Sequence, residues 1–231
     1  MRGDRIDAVL LDMGGVLLPE MQTYERAVRD RALLEALSEQ GIANPEKLVV
    51  ECATRVREAY RELAAECRQP DLDRVLADCA PAVRELLLRA FRREAAPAPY
   101  PHAREIVALL ARDYALGLVS NNALPGDHHA RVLERAGILA HIGSAVWSAN
   151  FGRRKPDPAM IFHVLGELGI SPEHAIFVGD KLRTDVASAR RAGVRSVYIR
   201  KRGSPYATSE DRPDFTIGDL RALPALLRQL G

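Results

Sequence analysis

Three short apolar runs in this chain end on polar or acidic residues. Ala8-Val9-Leu10-Leu11 meets Asp12, Leu116-Gly117-Leu118-Val119 meets Ser120-Asn121-Asn122, and Ala175-Ile176-Phe177-Val178 meets Gly179-Asp180, with Asp185 close behind. Each run is strand-sized, and unbroken apolar character means burial on both faces, as in a parallel sheet. Ligands of open α/β sheets bind beyond the carboxyl ends of the strands. The pattern predicts an α/β chain with a doubly wound parallel sheet. One edge of that sheet collects a carboxylate, a hydroxyl and two further carboxylates.

From about residue 100 strand and helix patterns alternate. Helices are expected at 102–112, 127–136 (Asp127 as N-cap, Gly137 as stop), 157–168, near 184–192, and from Asp219. The helix after Asp157-Pro158 carries Ile161, Phe162, Val164, Leu165 and Leu168 as its buried set. Strands are expected at 115–119, 144–148, 175–178, 196–199 and 215–217, an alternation typical of a doubly wound sheet. Residues 21–95 differ: 24–40, 45–68 and 71–93 read as helices, followed by the stiff linker Ala95-Ala96-Pro97-Ala98-Pro99-Tyr100-Pro101. The expected organisation is a core of residues 1–20 and 96–231 interrupted by a small helical unit at 21–95. That unit starts within ten residues of Asp12, which places it over the carboxyl edge of the sheet.

Composition narrows the partners. Of 231 residues, 47% are hydrophobic and 28% charged, enough for a real core, and the net charge of +2 argues against nucleic acid. No apolar run reaches bilayer length, so no membrane is expected. Met1-Arg2-Gly3-Asp4 runs straight into the first strand without a secretory pattern, and the expected location is cytoplasmic. Cys52, Cys67 and Cys79 fit no zinc spacing and read as reduced core thiols. Only Lys47, Lys155, Lys181 and Lys201 are lysines among 33 basic residues. A lysine kept in so arginine-rich a chain marks a place where a compact point charge is needed.

Four segments together resemble the motifs of the haloacid dehalogenase superfamily: Asp12-Met13-Gly14-Gly15-Val16, Ser120-Asn121, Lys155-Pro156-Asp157-Pro158, and Gly179-Asp180 with Asp185. The resemblance spans residue 7 to about 200, and each motif falls at a strand end or helix start. It implies a Rossmann-like core and, for residues 21–95, the helical cap of the first subclass. It also implies that Asp12 is the nucleophile and that Mg²⁺ is held by Asp12, Asp180 and the Gly14 carbonyl, with Asp185 as ligand or outer partner. Ser120, Asn121, Lys155 and the backbone at Gly14 and Gly15 would hold the phosphate.

The chemistry agrees. A carboxylate nucleophile splits one hard displacement into two easier ones. Mg²⁺ takes oxygen ligands from one or two carboxylates plus a substrate phosphate. Three acids against Mg²⁺ and Lys155 balance, so activity is expected to require metal. Asp157 reads as a structural N-cap before Pro158, and Thr184 as the cap of its helix. Lys181 reads chiefly as a solvated cation, with substrate contact as the other reading.

One position departs from the family. Its phosphatases usually carry a second Asp two residues after the nucleophile as general acid and base, and here that residue is Gly14. Three readings follow: substrates with good leaving groups, a proton from the cap (Tyr24, for instance) or from the substrate, or impaired catalysis. His128 and His129 read as exposed surface and Trp147 as core, while Arg26 and Arg29 read as solvated faces able to meet substrate on closure. The preferred function is Mg²⁺-dependent hydrolysis of a small phosphorylated metabolite through an aspartyl-phosphate. The alternatives are dehalogenase-type hydrolysis by Asp12 without metal, and a catalytically weak phosphate-binding or regulatory protein. The sequence is silent on monomer or homodimer.

Overall fold

The computed structural model describes residues 5–20, 27, 29–94, 97–123, 126–203 and 212–230. Six parallel strands form one sheet in the order β3-β2-β1-β4-β5-β6. They are β1 (Ala8–Leu11), β2 (Ala115–Ser120), β3 (Ser144–Trp147), β4 (Ala175–Gly179), β5 (Arg195–Ile199) and β6 (Phe215–Ile217). The chain lays β2 and β3 on one side of β1, then crosses back to place β4 on the other. Leu11 is level with Leu118 and Val178. The carboxyl ends of β1, β2 and β4 therefore emerge side by side at the switch point, where open α/β sheets bind ligands.

Alternation along β1 explains its unbroken apolar run. Val9 and Leu11 join a cluster with Val107, Leu133 and Leu223 on one face, while Ala8 and Leu10 join Met160, Val164 and Phe177 on the other. Helices cover both faces, so neither set of side chains sees water.

Residues 27–90 supply a third cluster of their own, around Leu37, Val56, Leu76 and Leu87. Its helices are α1 (Arg31–Glu39), α2 (Pro45–Glu62), α3 (Leu72–Val75) and α4 (Pro81–Glu94). Asp30 and Asn44 cap the first two through their side chains. The long helix expected over 71–93 is two pieces, because Pro81 at the start of α4 cannot continue a helix begun at Leu72. Tyr24 and Arg26 lie outside the described residues, and Arg29 is exposed.

The remaining helices are α5 (Ala103–Leu110), α6 (Gly126–Arg135), α7 (Ser148–Phe151), α8 (Ala159–Leu168), α9 (Ala187–Ala192) and α10 (Leu223–Leu230). Several local expectations shift. Asp127 lies inside the first turn of α6 rather than capping it. Asp157 accepts from the Ala159 N–H at 2.8 Å, so it caps α8 from one residue further out than expected. Thr184 caps nothing: it sits within a π-helical turn at Leu182–Val186 and donates to Asp185. Phe162 is 47% exposed, because the face of α8 that meets the sheet carries Ile161, Val164 and Leu165.

His129 is the clearest correction. It is 1% exposed, with its Nε2 3.1 Å from Asn122 Nδ2. Burial, aided by neighbouring His128, pushes its imidazole down to about 4. The unfolded chain then binds the proton first, so folding stability is lost as pH falls from 6.5 toward 4. The loss is up to about 3 kcal/mol. Denaturant midpoints of wild type and His129→Gln across that window are expected to diverge on the acid side, with the variant flatter. Parallel curves would contradict this.

Candidate active site

Asp12 stands one residue past β1, and it is 5% exposed. Its backbone N–H donates to the Val178 carbonyl at 2.9 Å, which continues the sheet register by one step and fixes the side chain at the edge. Lys155 enters from the loop before α8 and is 2% exposed. Its ammonium donates to Asp12 Oδ1 at 2.9 Å, to the Val119 carbonyl at 2.9 Å, and lies 2.8 Å from Asp185 Oδ1. Those three partners match the three donors of an ammonium group. Burial pulls the Lys155 ammonium down, but Asp12 and Asp185 outweigh it and the net shift is upward. Burial pushes the Asp12 carboxyl up to about 6 against the pull of Lys155, with Asp185 adding repulsion.

Asn121 forms a reciprocal clamp on the same lysine. Its Nδ2 donates to the Lys155 carbonyl at 3.0 Å, and its Oδ1 accepts the Lys155 N–H at 2.8 Å. The amide therefore fixes the loop that carries Lys155. Ser120, at the end of β2, is 2% exposed.

Asp185 is almost wholly enclosed. Its Oδ2 accepts the N–H groups of Asp180 and Lys181 at 3.0 and 2.9 Å, and its Oδ1 faces Lys155. Asp180 is held from outside: its Oδ2 accepts from Lys201 Nζ at 3.0 Å, while its Oδ1 is buried with no hydrogen-bond partner among the described residues. Burial raises the Asp180 carboxyl, with Lys201 opposing. Oxygens of Asp12, Asp180 and Asp185 lie within 4.8 Å of one another. A buried, partnerless carboxylate oxygen beside two more carboxylates fits a hard, oxygen-seeking cation.

Two glycines are needed here for room. Gly15 has a φ of +81°, and a Cβ on it would lie 1.9 Å from Asp180 Oδ2. A Cβ on Gly179 would lie 2.3 Å from that of Asp185. Gly14 is different, because a Cβ there meets nothing within 4 Å.

While Gly15 lines a separate cavity, a cavity of about 330 Å³ is lined by Asp12, Gly14, Ser120, Asn121, Lys155 and Asp185. Sequence reading missed several of its other walls. Tyr60 reaches in from α2, Arg154 stacks over its ring at 4.5 Å, and Glu20 pairs with Lys181 at 2.6 Å. Lys201 was also missed, although the scarcity of lysine was a usable signal: three of the four lysines meet at this edge.

The motif model for haloacid dehalogenase-like hydrolases matches residues 6–193. The chain belongs to the haloacid dehalogenase-like hydrolases. Within that family it is 30% identical over 243 residues to glyceraldehyde 3-phosphate phosphatase of Methanopyrus kandleri, spanning 97% of this chain and 98% of that protein. It is 38% identical over 144 residues to phosphoserine phosphatase of Thermus thermophilus, spanning 62% of this chain and 57% of the relative. The crystal structure of a phosphatase of this family from Thermococcus onnurineus superposes with a TM-score of 0.70 at 21% identity, covering 96% of this chain and 98% of that one. Among its described residues, this hydrolase has no helix long and apolar enough to cross a membrane.

Proposed function

We propose that this hydrolase cleaves a small phosphate monoester through an aspartyl-phosphate on Asp12, with Mg²⁺ as its cofactor. The observation that carries the reading is the pairing of a buried, lysine-held carboxylate with a partly unsatisfied acidic cluster at one sheet edge. Phosphatase activity in two relatives supports it. Asp12, Asp180 and the Gly14 carbonyl would hold the metal, and Asp185 would orient the backbone around it. Bound there, Mg²⁺ neutralises phosphate charge and so makes attack by an anion feasible.

The chain's own groups do the rest. A carboxylate oxygen of Asp12 attacks phosphorus, and the bond from phosphorus to the ester oxygen breaks. The departing oxygen takes a proton from solvent, and water then attacks the phosphorus of the acyl phosphate, breaking its bond to the Asp12 oxygen, releasing phosphate and giving a proton back to solvent. The Ser120 hydroxyl would hold a phosphate oxygen, the Lys155 ammonium would offset the negative charge beside it, and Asn121 keeps Lys155 in place. The helical unit of residues 21–95 acts as a cap that limits access to small metabolites. A metal-free dehalogenase reaction is disfavoured, since a departing halide calls for no bound cation, whereas the partnerless Asp180 oxygen beside two carboxylates suits one.

Gly14 supplies no acid for the leaving group. A general acid contributes roughly 10²–10⁴-fold, and the open space at Gly14 can receive one. Gly14→Asp is expected to raise turnover of alkyl phosphates by about tenfold or more, and of aryl phosphates far less. Equal effects on both classes would show that leaving-group protonation does not limit the wild type.

A further inference from the structure

Two of the three cysteines meet inside the helical unit. Along the chain they are 27 positions apart and share no motif spacing. In the fold the Sγ atoms of Cys52 and Cys79 stand 3.8 Å apart. Cys52 lies on the buried stripe of α2 with Val49 and Val56, and it is wholly shut off from solvent. Cys79 belongs to the turn between α3 and α4, where it packs against the same cluster and stays partly exposed.

More than the sulfurs holds these two segments together. Arg55, about one helical turn beyond Cys52, donates from its guanidinium to the Val75 carbonyl and to the Asp78 carboxylate. The Cys79 N–H donates to the carbonyl of fully buried Leu76 at 3.0 Å. The turn is therefore fastened to α2 right beside the two thiols. A disulfide holds its sulfurs about 2 Å apart, so closure asks them to approach by less than about 2 Å. The two thiols are also unequal. Burial, with Cys79 close by, pushes the Cys52 thiol up to about 12. Cys52 stays protonated at neutral pH and enclosed, so a dissolved oxidant meets Cys79 first.

We propose that Cys52 and Cys79 form a reversible redox pair, which a peroxide closes into a disulfide across the helical unit. Cys79, as its thiolate, attacks one peroxide oxygen. The O–O bond breaks, Cys79 becomes a sulfenic acid, and the other oxygen leaves as water. The Cys52 sulfur then attacks the Cys79 sulfur, the S–O bond breaks, and the hydroxyl leaves as a second water with the Cys52 proton. Two thiols have then given two electrons and two protons to one peroxide. The pair is independent of the phosphatase chemistry at the sheet edge. The bond restricts the unfolded chain by closing the loop between the two cysteines, and for a chain of this size it is expected to raise Tm by roughly 5–10 °C.

The test treats the reduced protein with hydrogen peroxide under native conditions. Remaining thiols are then alkylated in denaturant, and the peptides are mapped by mass spectrometry. The expected result is a linked Cys52–Cys79 peptide that dithiothreitol undoes, together with the rise in Tm. Cys79→Ser is expected to leave Cys52 open to alkylation after the same treatment. Cys52→Ala is expected to leave a Cys79 sulfenic acid that dimedone traps, and both variants lose the rise in Tm. A wild type in which both thiols survive overturns the proposal. So does one in which Cys79 goes on to the sulfinic acid beside an intact Cys52, or in which Cys67 takes one of the two places.

Discussion

Asp12→Asn is expected to lower phosphate release by roughly a thousandfold or more while leaving a folded protein, because the nucleophile is lost and no other group can take its place. The buried pocket explains why the fold survives. Asp12 and Asp185 both crowd Lys155, and the substitution removes one negative charge while keeping the other pair at 2.8 Å. Burial raises the Asp12 carboxyl to about 6, well above its ordinary value. A folded pKa above the unfolded one means that ionising this group costs stability as pH climbs from near 4 through 6. The metal-free Asn variant lacks that cost, so it should match or exceed wild type in denaturant midpoint at neutral pH. Activity with Mg²⁺ against EDTA, assayed beside the variant, tests the proposed chemistry. Turnover that survives Asp12→Asn, or that ignores EDTA, would refute it.

Lys155→Met is expected to do the opposite to stability. Two carboxylates with exposures of a few per cent would face each other without their shared cation. Removing one member of a buried ion pair costs about 3–5 kcal/mol. For a chain of this size that is a drop in Tm on the order of 10 °C. Lys155→Arg is not expected to rescue it, since the site is shaped for a compact ammonium with three acceptors and not for a planar fork. Added Mg²⁺ should recover part of the loss, because a cation binding only the folded form stabilises it by mass action. Calorimetric Tm with and without Mg²⁺ provides the check. An unchanged Tm in the metal-free variant would mean that Lys155 is not the counter-charge on which the pocket depends.

The parallel sheet and its functional edge were legible along the chain, whereas the order of its strands came from the structure. A run such as Ala8–Leu11, short and bounded by polar residues, reads as a strand buried on both faces, and such a strand delivers Asp12 to the carboxyl edge. The same holds for Ser120 after β2 and Asp180 after β4. Periodicity records burial, and burial of consecutive residues fixes the layer.

Local chemistry was less secure wherever neighbours in space outweighed neighbours in sequence. His129 follows a polar start, yet Asn122 and the packing around α6 enclose it. Phe162 looked like part of an apolar stripe, yet it sits off the face that meets the sheet.

What the sequence by itself determined is therefore the set of strand ends that meet and the residue types they carry. The tertiary structure alone decided how those residues pair. It set Lys201 on Asp180 from 21 positions away, made Asn121 a clamp on the backbone of Lys155, and stacked Arg154 on a tyrosine of the helical unit. The physical reason is range. Strand and helix patterns are written by the local alternation of apolar and polar residues, whereas a side-chain pair between elements exists only once packing has fixed their distance and angle.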